Sequence, residues 1–101
     1  MCGIVGYLGY RNAQDVIVSS LQKLEYRGYD SCGLAIMNSE NKIEYMKTAG
    51  KINDLKEMLI EYRIPGNFGI GHTRWATHGK PDDRNAHPHS DGDSSVWIVH
   101  N

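Results

Sequence analysis

The chain opens Met1-Cys2-Gly3-Ile4-Val5-Gly6, with a thiol one residue behind the initiator methionine. Once Met1 is removed, Cys2 carries a thiol and a free α-amine on the same residue. An α-amine titrates at about 7.7–8.0, roughly two units below a lysine, so at neutral pH a useful fraction can accept a proton. Cys2 would then be a nucleophile supplied with its own base. An early cysteine also serves as a small buried hydrophobe, and by itself it does not choose between the two.

Three further stretches gather side chains with chemistry. "GHTRWATHG", residues 71–79, sets Arg74, Trp75, Thr77 and His78 between Gly71 and Gly79. The planar fork of Arg74 suits a carboxylate, Thr77 adds a hydrogen bond, and Trp75 is large enough to cover a small ligand against water. The pattern fits a lid over an amino-acid-sized substrate, and equally an exposed polar loop with one partly buried tryptophan. In "NAHPHSDGD", residues 85–93, His87, His89 and Asp91 are metal-ligating types, and with His78 they suggest a small metal-binding module. Their spacing matches no standard structural zinc site, so the expectation is histidines hydrogen-bonded to the loop backbone around Pro88. "VWIVHN" ends in Asn101, whose amide could donate to a developing oxyanion, a contact worth about 3 kcal/mol of barrier. Asparagine also commonly ends a strand with no further role.

These groups need elements to hold them. Cys2–Leu8 reads as a short buried strand, followed by a turn at Gly9 and Asn12. Asn12 is a good N-cap, and Ile17, Leu21 and Leu24 recur at helical spacing, predicting a helix over residues 13–26 that stops at Gly28. The stretch "LEYRGYDSCGLA", residues 24–35, then joins the helix end to the next strand through Arg27, Gly28 and Asp30. Gly33–Met37 and Ile43–Lys47 flank the polar "NSENK" as a hairpin. Ile52, Leu55, Leu59 and Tyr62 mark a second helix closed by Pro65-Gly66. Strands are predicted over 67–72 and, buried, over 94–100, with a long polar loop over 73–93 as the place for a binding site.

Composition narrows the classes. At 101 residues, with 40% hydrophobic and 23% charged residues, the chain is at most one globular domain rather than a disordered tail. Eleven basic residues against twelve acidic ones leave a formal net charge of -1, so there is no general positive field for nucleic acid or anionic lipid. No apolar run is long enough to span a bilayer and no signal peptide opens the chain, which reads as cytosolic. Cys2 and Cys32 are expected to be reduced thiols. The last strand runs to Asn101 without a following turn, so the chain is expected to continue in a longer protein. A sandwich cut there would leave a sheet edge and apolar faces uncovered, predicting self-association as a homo-oligomer.

"MCGIVGY", "LEYRGYDSCGLA", "GIGHTRWATHG", "NAHPH" and "VHN" occurring together resemble the glutaminase domain of the glucosamine-6-phosphate synthase family, over essentially the whole chain. A terminal Cys-Gly-Ile suits any class II glutamine amidotransferase, whereas "EYRGYDS" with "HTRWATHG" favours the hexosamine branch. The resemblance implies an α+β fold, the four-layer αββα sandwich of N-terminal-nucleophile hydrolases, present only in part over residues 1–101. It implies glutamine hydrolysis to glutamate and ammonia, with L-glutamine as substrate and no cofactor or metal. In the parent enzyme the ammonia would feed conversion of fructose 6-phosphate to glucosamine 6-phosphate. By the same resemblance Cys2 is the nucleophile blocked by Met1, Asn101 helps form the oxyanion hole, and Arg74, Trp75, Thr77 and His78 bind glutamine. Arg27 and Gly28 would shape the site. The family usually has alanine where Cys32 stands, and it places an oxyanion-hole glycine, an acidic ammonium-binding motif and an isomerase domain beyond Asn101.

Overall fold

Local chemistry sets each element before packing joins them. The computed structural model describes residues 2–75, 79–80 and 82–100, the side chain of Arg27 excepted. Strand β1 (Gly3–Leu8) alternates, with Val5 and Tyr7 turned to the core and Ile4 and Leu8 away from it. Helix α1 (Ala13–Lys23) starts where the Asn12 side-chain oxygen accepts the Asp15 N–H at 3.4 Å, which satisfies one of the donors a helix start leaves open. Strands β2 (Ser31–Met37) and β3 (Ile43–Thr48) form the expected hairpin. Asn38 Oδ1 closes it by accepting the N–H groups of Glu40 and Lys42, and Asn41 takes the left-handed conformation at φ 61°. Helix α2 (Ile52–Glu61) starts where the Lys51 N–H donates to the Asp54 carboxylate at 2.8 Å.

The strands pair antiparallel in the order β1-β4-β2-β3, where β4 is Phe68–Arg74. Both helices lie on one face, and the fully buried Ile17, Leu21, Leu34, Ile36, Ile52 and Leu55 form the core between helices and sheet. The result is a small α+β unit with an antiparallel sheet and two helices. Register puts Phe68, Ile70, His72 and Arg74 of β4 on the opposite face, with Ser31, Gly33 and Ala35 of β2 and Tyr45 and Lys47 of β3. Part of that face is covered by residues 86–100, which carry a second, two-stranded sheet of β5 (His89–Ser90) and β6 (Trp97–Ile98). The remainder is open: Ile4, Leu8 and Phe68 are exposed, beside an apolar cleft of about 280 Å³ lined by Met37, Ile70 and Val96 among others. Among the described residues no helix is long and apolar enough to cross a membrane.

Several boundaries differ from those read in the sequence, β2 for one starting at Ser31 rather than Gly33, and three differences have a cause visible in the bonding. The helix expected over 13–26 stops at Lys23 and tightens into a 3-10 turn, Glu25–Arg27, as the Leu24 N–H bonds back to Leu21 O at 3.0 Å. The strand expected over 67–72 runs instead to Arg74, because β1 and β2 both keep pairing, Gly3 opposite Thr73 and Ser31 opposite Arg74. The strand expected over 94–100 shrinks to Trp97–Ile98. Its start is turned: the Asp91 carboxylate collects the N–H groups of Ser95 and Val96 at 2.9 and 3.2 Å, and Ser94 has φ 57°. Nor is that strand buried, with Val96 57% and Ile98 51% exposed.

Candidate active site

Pairing of β1 with β4 carries the amino terminus to the far end of β4. The Gly3 N–H donates to the buried Thr73 Oγ1 at 3.1 Å, which fixes the last rung of the ladder. One residue further out, the Trp75 N–H donates to Cys2 Sγ at 3.4 Å, and the thiol in turn lies 4.0 Å from the Trp75 carbonyl oxygen. Cys2 is a free, partly exposed thiol, held by backbone 73 positions away in sequence.

Arg74 sits on the strand rather than on the loop, and its residue is only 8% exposed. Its Nη1 donates to Lys80 O at 3.1 Å, an oxygen that Asn85 Nδ2 also reaches at 3.0 Å, so the guanidinium anchors the return of the loop. On the other flank of β4 the Asp30 N–H donates to Arg74 O at 2.8 Å. Trp75 is half exposed, and its ring lies against Gly28. A Cβ at Gly28 would stand 2.8 Å from the indole, and φ there is 79°, so space and backbone both require glycine. The turn carrying Gly28 is held by Tyr29, whose hydroxyl donates to Glu25 at 3.1 Å and accepts the Ile52 N–H at 2.7 Å. Burial pushes that phenol up to about 12, so it stays a donor at any ordinary pH.

Cys2, Gly28, Arg74 and Trp75 therefore meet at one end of the sheet, drawn from three chain segments. Arg27 belongs to the 3-10 turn that carries Gly28. Met1, Thr77, His78 and Asn101, singled out in the sequence, lie outside the described residues.

The described histidines pack against one another rather than bonding to the loop backbone around Pro88 as expected. His72 and His87 stack with ring centroids 4.1 Å apart, and His89 and His100 crowd the His87 ring at 4.3 and 4.8 Å. Among the described residues the backbone around Pro88 is held by Lys47 rather than by a histidine: its Nζ donates to Ala86 O and Pro88 O at 3.0 and 3.1 Å. Among the described residues no group of three or more His, Cys, Asp or Glu is arranged to hold a metal ion. Burial, with cations and the other rings nearby, pushes His72 down to about 4 and His87 to about 3, so both are neutral at pH 7.

A buried neutral histidine protonates more readily once unfolded, near pH 6.5, so its contribution to stability is complete above that pH and is lost as pH falls toward the folded value. Urea unfolding should give one midpoint from pH 8 to 7 and a loss on the order of 2–4 kcal/mol by pH 5 from these two rings together. A midpoint that holds to pH 5 would contradict the buried neutral cluster.

Sequence comparison adds the relatives. The chain is 58% identical over all of its 101 residues to a glutamine–fructose-6-phosphate aminotransferase (isomerizing) of Pyrococcus horikoshii, and 56% identical to one of Clostridium acetobutylicum. It matches their N-terminal segment. A third aminotransferase of that name, from Thermus thermophilus, is 52% identical over the same length. The chain spans about a sixth of the length of these aminotransferases, 17% and 16% of the first two. No protein-family model matches the chain.

Two residues that bond to distant carbonyls escape the sequence reading. His72 and Lys47 look like strand residues with no partner in view, and the only signal is the alternation that puts them on one sheet face as Ile70/His72/Arg74 and Tyr45/Lys47.

Proposed function

We propose that the chain is the N-terminal portion of a class II glutamine amidotransferase domain, the glutaminase half of a cytoplasmic enzyme that forms glucosamine 6-phosphate from fructose 6-phosphate. The observation that carries this reading is the meeting of Cys2 Sγ with the Trp75 backbone at 3.4 Å, next to Arg74 and Gly28. In the proposed reaction the Cys2 α-amine takes the thiol proton and Sγ bonds to the side-chain amide carbon of glutamine. The resulting oxyanion collapses as the C–N bond breaks, the amine returns its proton to the leaving nitrogen, and ammonia departs. Water then attacks the thioester, releasing glutamate and restoring the thiol. Arg74 would hold the substrate α-carboxylate with Thr77 and His78, Trp75 would cover it, and Asn101 would donate to the oxyanion.

The four-layer αββα sandwich belongs to the same proposal. The exposed Ile4, Leu8 and Phe68 make the natural seat for a second layer supplied by the rest of the protein, including the isomerase-bearing remainder. That face also favours a second reading of the isolated chain, an inactive folded fragment that self-associates or binds its complementary segment. Sedimentation of the 101-residue chain should show dimers or larger species at high concentration, and a compact monomer throughout would reject self-association.

The functional test is intact mass after exposure to the glutamine diazoketone diazo-oxo-norleucine, from which Sγ displaces dinitrogen. A full-length aminotransferase bearing this sequence should lose Met1 and take one adduct, mapped to Cys2. An unlabelled full-length protein would overturn the assignment; labelling there but not in the 101-residue chain would show that the remainder completes the pocket.

A further inference from the structure

After removal of Met1 the proposed nucleophile is the first residue of the chain, and a chain end frays unless something ties it down. Cys2 then has no preceding residue to hold it, which leaves the task to the contacts of its own side chain and of the peptide that joins it to Gly3. Thr73 grips that peptide: the Gly3 N–H donates to Thr73 Oγ1 at 3.1 Å. Thr73 is 1% exposed, and its backbone stands opposite Gly3 of β1 on one side and Cys32 of β2 on the other, so the hydroxyl has a rigid base. Gly3 is itself buried and closely fitted, since a Cβ there would stand 2.7 Å from Thr73 Oγ1 and 2.8 Å from Leu24 Cδ1. A residue without a side chain lets the peptide come against the hydroxyl, which gives the first glycine of "MCGIVG" a task.

Direction matters as much as contact. Thr73 follows Gly71 by two residues on β4, and a Cβ at Gly71 would meet Ile17 and Leu21 of α1, so both positions point to the helix-bearing face. Arg74, the next residue, lies on the other face. One strand therefore sets side by side the hydroxyl that grips the chain end and the guanidinium proposed for the substrate carboxylate.

We propose that Thr73 is a positioning residue for Cys2: its buried hydroxyl holds the Cys2–Gly3 peptide from the helix side and so fixes where the thiol stands relative to Arg74 on the other face of the same strand. The consequence for the reaction rests on the glutaminase reading, whereas the hold itself can be read without it. The Trp75 N–H also reaches Cys2, but at the reacting atom Sγ, while Thr73 grips backbone that takes no part in the bond changes. Lying on the helix side, Thr73 is turned away from a substrate held by Arg74, so its loss should lower the rate of reaction rather than the affinity.

The test compares the parent sequence with Thr73→Val, which keeps the branched shape and loses the hydroxyl, and Thr73→Ser, which keeps the hydroxyl and loses the methyl. In the 101-residue chain labelled with nitrogen-15, exchange of the Gly3 amide should quicken at least about 10-fold in Thr73→Val and stay near the parent rate in Thr73→Ser. In the full-length aminotransferase bearing this sequence, the maximal rate of adduct formation at Cys2 should fall about 10- to 100-fold in Thr73→Val, with little change in the half-saturating diazoketone concentration. Thr73→Ser should retain most of that rate. A role in packing alone would give the reverse order, sparing the valine variant and harming the serine one. Parent-rate labelling of Thr73→Val, or a serine variant slower than the valine variant, overturns the proposal. If the parent takes no adduct, the glutaminase reading fails and exchange alone decides the hold: Gly3 protection lost with valine and kept with serine supports it, and equal protection in parent and Thr73→Val overturns it. If Thr73→Val does not fold, a Thr73→Ser protein that keeps both Gly3 protection and labelling supports the proposal, and one that loses either overturns it.

Discussion

Replacing Cys2 with alanine is expected to abolish glutamine hydrolysis by a full-length aminotransferase bearing this sequence, by at least about 10³-fold, with its thermal midpoint unchanged. Loss on that scale follows because no other described group near the Trp75 backbone can form the thioester; the second thiol, Cys32, is fully buried and pushed up to about 12 by burial, which leaves it inert. The fold should not notice, because the Cys2 side chain is partly exposed and, among the described residues, its hydrogen bonds run to the Trp75 backbone. Cys2→Ser tests nucleophile strength in the same place and should be nearly as inactive. Blocking removal of Met1 tests the amine separately: the thiol would remain while its base is tied up in a peptide bond, and hydrolysis should again fall steeply. Glutamate release by Cys2→Ala above roughly a tenth of the parent rate would reject the assigned nucleophile.

The second large effect lies at Gly33. A Cβ there would run into the carbonyl oxygen of His87 and stand 2.6 Å from Lys47 Cβ and 3.1 Å from Lys47 Cα. Two of those three obstacles are backbone, so no rotamer change relieves the clash. Residues 86–88 must lift from the sheet, weakening the Lys47 bonds to Ala86 O and Pro88 O and the His72–His87 stack together. We expect Gly33→Ala to destabilise the chain by about 2–3 kcal/mol in urea unfolding. Gly6→Ala is the matched control: on β1, with nothing within 4 Å of its added methyl, it should shift stability by less than about 0.5 kcal/mol. A Gly33→Ala midpoint indistinguishable from that of Gly6→Ala would mean that the 86–100 segment is not seated on the sheet as described.

What was legible in the sequence follows the range of the forces involved. The Asn12 cap, the turn at Asn38–Asn41 and the period of Ile52, Leu55 and Leu59 are all decided within a few residues. Those features stand nearly where they were read. Boundaries moved wherever another acceptor or partner strand intervened: β4 runs on to Arg74 because β1 and β2 flank it, and residues 94–96 leave the expected strand because Asp91 takes their amides, Ser94 on its backbone carbonyl and Ser95 and Val96 on its carboxylate.

Cys2, Gly28, Arg74 and Trp75 could each be named from their own chemistry or from family likeness, yet only tertiary structure puts the thiol beside the Trp75 backbone and the indole against Gly28. Antiparallel pairing is the physical cause, since its register converts 73 positions of chain into a contact of 3.4 Å. His72 and Lys47 lie wholly on the structural side of that division, because a buried ring or a part-buried ammonium declares its role only through the carbonyl it reaches, and those carbonyls belong to residues 28 to 41 positions further along the chain.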